Sequence, residues 1–226
     1  MNITIDDKHI YRVDGIIKPG TTDVIKCEFR NGEVSPYFNE FYSDRGHVIH
    51  EACALLALGR YKQGSIDPRL SGYIESADKA MKKYGMVTEF VEQVFFDPVN
   101  DVCGTKDWGG KSMYYPGKKM RADWKAGVKQ SPDWELQGAA YVIGEIWDAI
   151  FNKGIKYDNP EQEFWAAIKD YIFADIKLHQ DGKCGNLMPV TDLEHYAKVW
   201  PHIAGAYHFK TRHGVIVPKH MQTKGE

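Results

Sequence analysis

Residues 119–125, Lys-Met-Arg-Ala-Asp-Trp-Lys, alternate in polarity with a period of two. That period predicts a strand with Met120, Ala122 and Trp124 on one face and Arg121, Asp123 and Lys125 on the other. One surface then carries a carboxylate and an ammonium two residues apart, a pair that can hold a cation and a reacting phosphate together. A helix start follows at once. Ser131-Pro132-Asp133 supplies a cap, a proline at the first helical position and an acid in the first turn. Leu136, Ala139, Ala140, Ile143, Trp147 and Ile150 give this helix its core face, and Gln137 and Tyr141 share a neighbouring face.

The remaining elements fall around this strand–helix unit. Ile3-Thr4-Ile5, Tyr11-Arg12-Val13 and Ile16-Ile17 read as a hairpin, broken by Pro19-Gly20-Thr21-Thr22, which caps a short helix through Cys27. Ser43 caps a helix to about Leu58 with Val48, Ile49, Ala52, Cys53, Leu55 and Leu56 as its stripe. His50 lies off that stripe, in a lane of small residues. Pro68 starts another helix, which Gly85 stops after Tyr84. Residues 87–97 and 102–107 read as two strands, followed by a Gly- and Pro-marked loop over 109–119. A helix at about 160–169, a hairpin from Tyr171 to Val190 turning near Asp181-Gly182, and a helix from Asp192 to about Thr211 complete the chain. The order predicts an α/β (α+β) protein with helices flanking a central sheet.

A length of 226 residues suits one domain, taken as 1–226, with an N-terminal hairpin region (1–40), a core (41–151) and a C-terminal extension (152–226). The first residues have neither a basic nor an apolar leader segment, and no apolar run reaches membrane-spanning length, so a cytoplasmic protein with no membrane partner is expected. Cys27, Cys53, Cys103 and Cys184 have no paired spacing and read as small buried hydrophobes. The net charge of −2 gives no global attraction to nucleic acid. Charge is nevertheless uneven: Lys111, Lys118, Lys119, Arg121, Lys125 and Lys129 face a single acid, Asp123, with Trp108, Tyr114, Tyr115 and Trp124 interleaved. Cations among aromatics suit a phosphate backbone and unstacked bases.

Four segments, in order, resemble the motifs of the RecB-like PD-(D/E)XK nucleases. They are Arg45-Gly46-His47-Val48-Ile49-His50, Gly104-Thr105-Lys106-Asp107, Asp123-Trp124-Lys125 and Gln137-Gly138-Ala139-Ala140-Tyr141. Within that superfamily the resemblance is tighter to phage-encoded exonucleases and more distant to the mitochondrial genome-maintenance exonuclease, and it spans roughly residues 8–210. It implies a restriction-endonuclease-like core with an N-terminal hairpin and a C-terminal hairpin–helix extension. It also implies a metal-dependent deoxyribonuclease, acting on single-stranded or end-exposed DNA in phage recombination or repair beside phage recombination proteins, in the host cytoplasm. A structure-specific endonuclease and a catalytically silent DNA-binding relative are the alternatives.

By the same resemblance, His50, Asp107 and Asp123 would hold Mg²⁺ or Mn²⁺, with Glu92 as a weaker outer ligand. Lys125 would orient the attacking water or neutralise the phosphorane. Gln137 and Tyr141 would contact DNA phosphate or brace the lysine, and Arg45, Lys118, Lys119, Arg121, Lys129 and Tyr141 would bind nucleic acid. The chain departs from the family where Ala126-Gly127 follows the lysine, a place often taken by threonine. Other motifs fail: Thr105 stands where the first glycine of a P-loop is required before Gly110-Lys111-Ser112, and Ala54 stands where a zincin needs its second histidine.

Overall fold

A computed structural model of the chain describes residues 1–6, 9–29, 40–127, 132–152, 154 and 156–218. Three short runs open it: β1 (Ile3–Ile5), β2 (Tyr11–Val13) and β3 (Ile16–Lys18), paired antiparallel in that order. The expected hairpin is thus a three-stranded meander. Asp14 and Gly15 both have positive φ, the backbone of a two-residue turn that matches strand twist, so β3 folds back on β2. Helix α1 (Thr21–Phe29) follows. Its start is tied to the central sheet where the Cys103 N–H donates to the Pro19 carbonyl at 2.8 Å and the Thr21 hydroxyl to the Cys103 carbonyl at 3.0 Å.

The central sheet contains β4 (Met86–Asp97), β5 (Val102–Ser112), β6 (Lys119–Lys125), β7 (Tyr171–Lys177) and β8 (Asn186–Val190), in sequential order. All neighbours are antiparallel except β6 and β7, which run parallel with Asp123 opposite Asp175. A parallel pair needs a long crossover, and α4 (Pro132–Asn152) and α5 (Pro160–Ala167) provide it. The sheet is therefore mixed, as the α/β reading expects.

Helices cover both faces. Beneath α2 (Glu40–Ala57) and α3 (Ser71–Lys83), Ile49, Ala52 and Ile74 pack on Trp108, Met120, Ala122, Trp124 and Ile176. On the opposite face α4, α1 and α6 (Leu193–Arg212) enclose Phe95, Phe173, Ile143, Val24 and Trp200. Among the described residues no helix is long and apolar enough to cross a membrane, and the four cysteines are free thiols.

Two boundaries differ from expectation. Ser43 lies inside α2, three residues past its start. Strand β5 runs on to Ser112, so the loop assigned to 109–119 is in part sheet. Gly109 belongs there for a packing reason: a Cβ would lie 2.1 Å from the Phe90 ring, so only glycine lets the ring cross the strand.

The polar face of β6 is not open to solvent; it lies under α4. Glu145 of α4 accepts from Lys106 Nζ at 2.6 Å, from Arg121 Nε at 2.7 Å and Nη2 at 2.6 Å, and from the Tyr171 hydroxyl at 3.1 Å. Lys106 also donates to Gln93 at 2.8 Å. Arg121 is 4% exposed, so its assignment to nucleic-acid binding is corrected: its guanidinium is a buried partner of Glu145. Burial opposes ionisation of Glu145, but the Arg121 hydrogen bonds and the Lys106 charge outweigh it and lower the carboxyl to about 2. Glu145→Gln leaves two buried cations short of their anion and should destabilise the protein by about 3–5 kcal/mol, read as a shift in the urea midpoint at pH 7. Because the folded carboxyl titrates lower than the free one, its contribution is present above the ordinary value of 4.5 and is lost as pH falls through about 2. The gap between wild type and variant should narrow over that range; equal midpoints at pH 7 would remove the clamp from the account.

Candidate active site

The β5–β6 ladder ends at the pair Trp108–Ala122, and the next facing positions are Asp107 and Asp123. On its other edge β5 keeps its register with β4 at this level, the shift in that ladder lying between Thr88 and Phe90, but the Glu92–Asp107 pair is left out of the ladder. The β4 ladder steps from Val91–Trp108 to Gln93–Lys106, passing Glu92 and Asp107, and Glu92 has φ +48°. In a regular strand Lys106 and Trp108 would share a face. Here Lys106 reaches Glu145 under α4 while Trp108 packs under α2 and α3, so the strand turns through a break at Asp107.

His50 enters from α2. Its Nδ1 lies 3.0 Å from Asp107 Oδ2, and the Trp124 N–H donates to the same oxygen at 3.1 Å. One ligand atom each from His50, Asp107 and Asp123 lie within 4.8 Å of one another. Beside them, Lys125 Nζ donates to Asp123 Oδ2 at 2.6 Å and to Gln137 Oε1 at 2.9 Å, and stands over the Trp134 ring at 5.3 Å. Gln137 Nε2 in turn donates to the Tyr141 hydroxyl at 2.7 Å. The separation of four residues along α4 sets up that last contact. Tyr141 is 6% exposed and packs edge-on against Phe95 and Phe173. The pair extends the hydrogen-bond chain that starts at Lys125, and both residues line the cleft, Tyr141 with only a small exposed surface.

The electrostatics follow from burying several acids together. Burial opposes ionisation of Asp107, yet the charge and hydrogen bond of His50 more than offset it and hold the carboxyl well below the usual range. Burial, then the charge of Asp107, push Asp123 well above it. Burial works against a charged His50 ring, but Asp107 outweighs it and raises the imidazole to about 9. Burial likewise disfavours the Lys125 ammonium, and Asp123 and Asp175 reverse the sign and raise it.

The donor set fits a small hard cation. Two carboxylates and an imidazole give oxygen and nitrogen ligands of the type Mg²⁺ and Mn²⁺ take, with the nitrogen favouring Mn²⁺. A divalent charge would also offset the burial and the Asp107 repulsion that raise Asp123.

Other expected site residues are dispersed. Glu92 is an exposed residue lining the same cleft, lifted to about 7 by desolvation and by the charge of Asp107, but lies outside the tight three-residue cluster. Arg45, on α2 before His50, lines the cleft and stands over the Tyr73 ring. Lys118 and Lys119 sit at the far end of β6, six residue steps or roughly 20 Å from Lys125. There they border a separate groove with Met81, Met86 and Met113. Lys129 lies outside the described residues.

Several residues of the cleft, whose volume is about 1120 Å³, were not anticipated. Lys26 and Thr22 of α1 line it, as do His9 and His47, whose rings stack at 5.2 Å. Asp175 of β7 is buried, lies 3.8 Å from Lys125 Nζ, and is raised to about 6 by burial against the opposing pull of Lys125. An acid in a strand gave no sign of this; only the parallel register of β6 and β7 places it beside Asp123.

No family model and no curated protein matches the chain. Among solved structures, one from Eubacterium rectale named "Putative exonuclease" aligns with 92% of this chain and 90% of its own, at 11% identity and a TM-score of 0.46.

A cation held through His50 must displace the ring proton that Asp107 retains at neutral pH. Mn²⁺ binding should therefore release protons at pH 7, and its affinity should climb as pH rises toward about 9. Calorimetry in two buffers of different ionisation enthalpy measures the release. His50→Ala should weaken binding and flatten the slope; Mn²⁺ uptake with no proton released at pH 7 would exclude His50 as a ligand.

Proposed function

We propose that the protein is a metal-dependent deoxyribonuclease that hydrolyses phosphodiester bonds, acting as an exonuclease on single-stranded or end-exposed DNA in recombination or repair. The observation that carries this reading is the convergence of His50, Asp107 and Asp123 within 4.8 Å beside a lysine bonded at 2.6 Å to one of the carboxylates. Mg²⁺ or Mn²⁺, when bound by these three residues, supplies Lewis acidity for water activation and for charge on the scissile phosphate. Asp107 and Asp123 hold the position, and the Trp124 N–H fixes the rotamer of Asp107. Lys125 sets its ammonium beside Asp123, where it orients the attacking water or neutralises charge on the phosphate. Gln137 and Tyr141 keep that ammonium from swinging into solvent.

The DNA backbone is best served by the cations of the cleft itself. Lys26 and Arg45 flank the cluster, whereas Lys118 and Lys119 stand at the opposite end of β6. The imidazoles of His9 and His47 offer ring faces to a base at the same rim.

Digestion of end-labelled single-stranded, duplex and circular DNA with Mg²⁺ or Mn²⁺ tests the activity. Cleavage of linear but not circular substrate is the expected result, and no cleavage of any DNA by the purified protein would refute the reading. Asp107→Asn and Asp123→Asn should each abolish cleavage while leaving the protein folded. Lys125→Ala should lower turnover by about 10²–10³-fold with little loss of DNA affinity, since one cation adds modestly to binding but acts directly on the reacting phosphate.

Binding can be followed with Ca²⁺ in place of Mg²⁺. Combined Lys26→Ala and Arg45→Ala should weaken it and flatten its salt slope by about one unit per lost phosphate contact. Combined Lys118→Ala and Lys119→Ala should leave the slope unchanged; the reverse result would move the DNA path to the far end of β6.

A further inference from the structure

Asp175 is a carboxylate in the interior of the sheet. It lies on β7, buried to 1% exposure, opposite Asp123 in the parallel register and on the same face as Phe173 beneath α4. Its Oδ1 is buried with no hydrogen-bond partner. Such a group costs folding free energy, because burial strips its water and nothing replaces all of it. The acids around it, Asp107 and Glu135, add repulsion. Among the described residues the one cation within ion-pair distance is Lys125, at 3.8 Å.

Lys125 has three N–H donors. Two are used, by Asp123 and Gln137. Asp123 is also one of the residues that would hold a cation, and a carboxylate oxygen shared with a divalent ion is a weaker acceptor for an ammonium. Asp175 is placed behind the lysine, on the strand that does not contribute to the cluster, and its carboxylate stays beside the ammonium whatever Asp123 engages.

We propose that Asp175 is a positioning residue for Lys125, holding the ammonium between Asp123 and Gln137 when Asp123 is committed to a cation. This rests on the function proposed above and adds to it a residue that acts through the lysine. It accounts for the presence of a buried, incompletely bonded carboxylate where an apolar side chain would pack at lower cost.

Asp175→Asn keeps the shape and removes the charge. Turnover on linear single-stranded DNA with Mn²⁺ should fall by about tenfold or more, while KM and Ca²⁺-supported DNA affinity stay within about twofold. The melting temperature of the metal-free protein should hold or rise, and Mn²⁺ affinity should be unchanged. In the Lys125→Ala background the same substitution should cause no further fall, as expected of two residues that act as one unit. Asp175→Ser, which also removes the charge, provides a second variant should the amide fail to fold.

Wild-type turnover in either variant overturns the inference. So does a fall in melting temperature in step with turnover, which marks a structural residue, or a loss of Mn²⁺ affinity, which marks a ligand. A full additional loss on top of Lys125→Ala overturns it as well. If the wild-type protein cleaves no DNA, the proposed function fails and this inference fails with it; wild-type cleavage with an unimpaired Asp175→Asn removes the inference alone.

Discussion

Glu145 is the residue on which the geometry of the site depends. It carries Lys106 of β5, Arg121 of β6 and the Tyr171 hydroxyl of β7 on one carboxylate, and so fixes α4 to three adjacent strands at once. Gln137 lies eight residues upstream on the same helix, about 12 Å along its axis. Fixing one end of that lever sets the other end over Lys125. The helix can lie close because a Cβ at Gly138 or Gly144 would come within 2.0 Å of the Phe173 or Phe95 ring. A bulkier residue at either place would lift α4, and the Gln137–Lys125 bond at 2.9 Å would stretch with it.

The same layer shows two ways of burying charge. The Lys106–Glu145–Arg121 cluster is closed: its main bonds are 2.6–2.7 Å, and its anion titrates low because cations face it. Further along the same layer, Asp107, Asp123 and Asp175 crowd together with, among the described residues, only two cations, His50 and Lys125, for three acids, and Asp123 and Asp175 titrate high. One set settles the fold. The other is held with unfavourable terms that a bound cation could relieve, the pattern expected where stability has been given up for a reactive arrangement.

Much of this was legible in the sequence where the signal is local. The alternation at 119–125 specifies β6, α4 begins at Pro132 with Asp133 in its first turn (Ser131, the expected cap, lies outside the described residues), and Asp192 caps α6 by accepting from the His195 N–H. His50, Asp107, Asp123 and Lys125 come together in space as their motif order implied. What was not legible was non-local. Arg121 shares a strand face with Asp123, and periodicity cannot say that α4 covers one half of that face with a glutamate and leaves the other beside a cleft. Lys118 and Lys119 are close to Lys125 in sequence, but an extended strand converts six residues into roughly 20 Å. Asp175 needed the β6–β7 register, which is set by the crossover over residues 126–170 and not by any local pattern.

The break at Asp107 ties these points together. A regular β5 would place Lys106 and Trp108 on one face, so either the ammonium would enter the α2–α3 core or the indole would displace it under α4. The irregularity at Glu92 and Asp107 removes that conflict, sending Trp108 to one core and Lys106 to Glu145. It also ends the β5–β6 ladder just where the two acids meet, so their carboxylates face His50 and Lys125 instead of being consumed by cross-strand packing. The distortion that lets the sheet pack on both faces is therefore the one that opens the site. A substitution that restored a regular ladder at Glu92 would disturb the core and the cluster together.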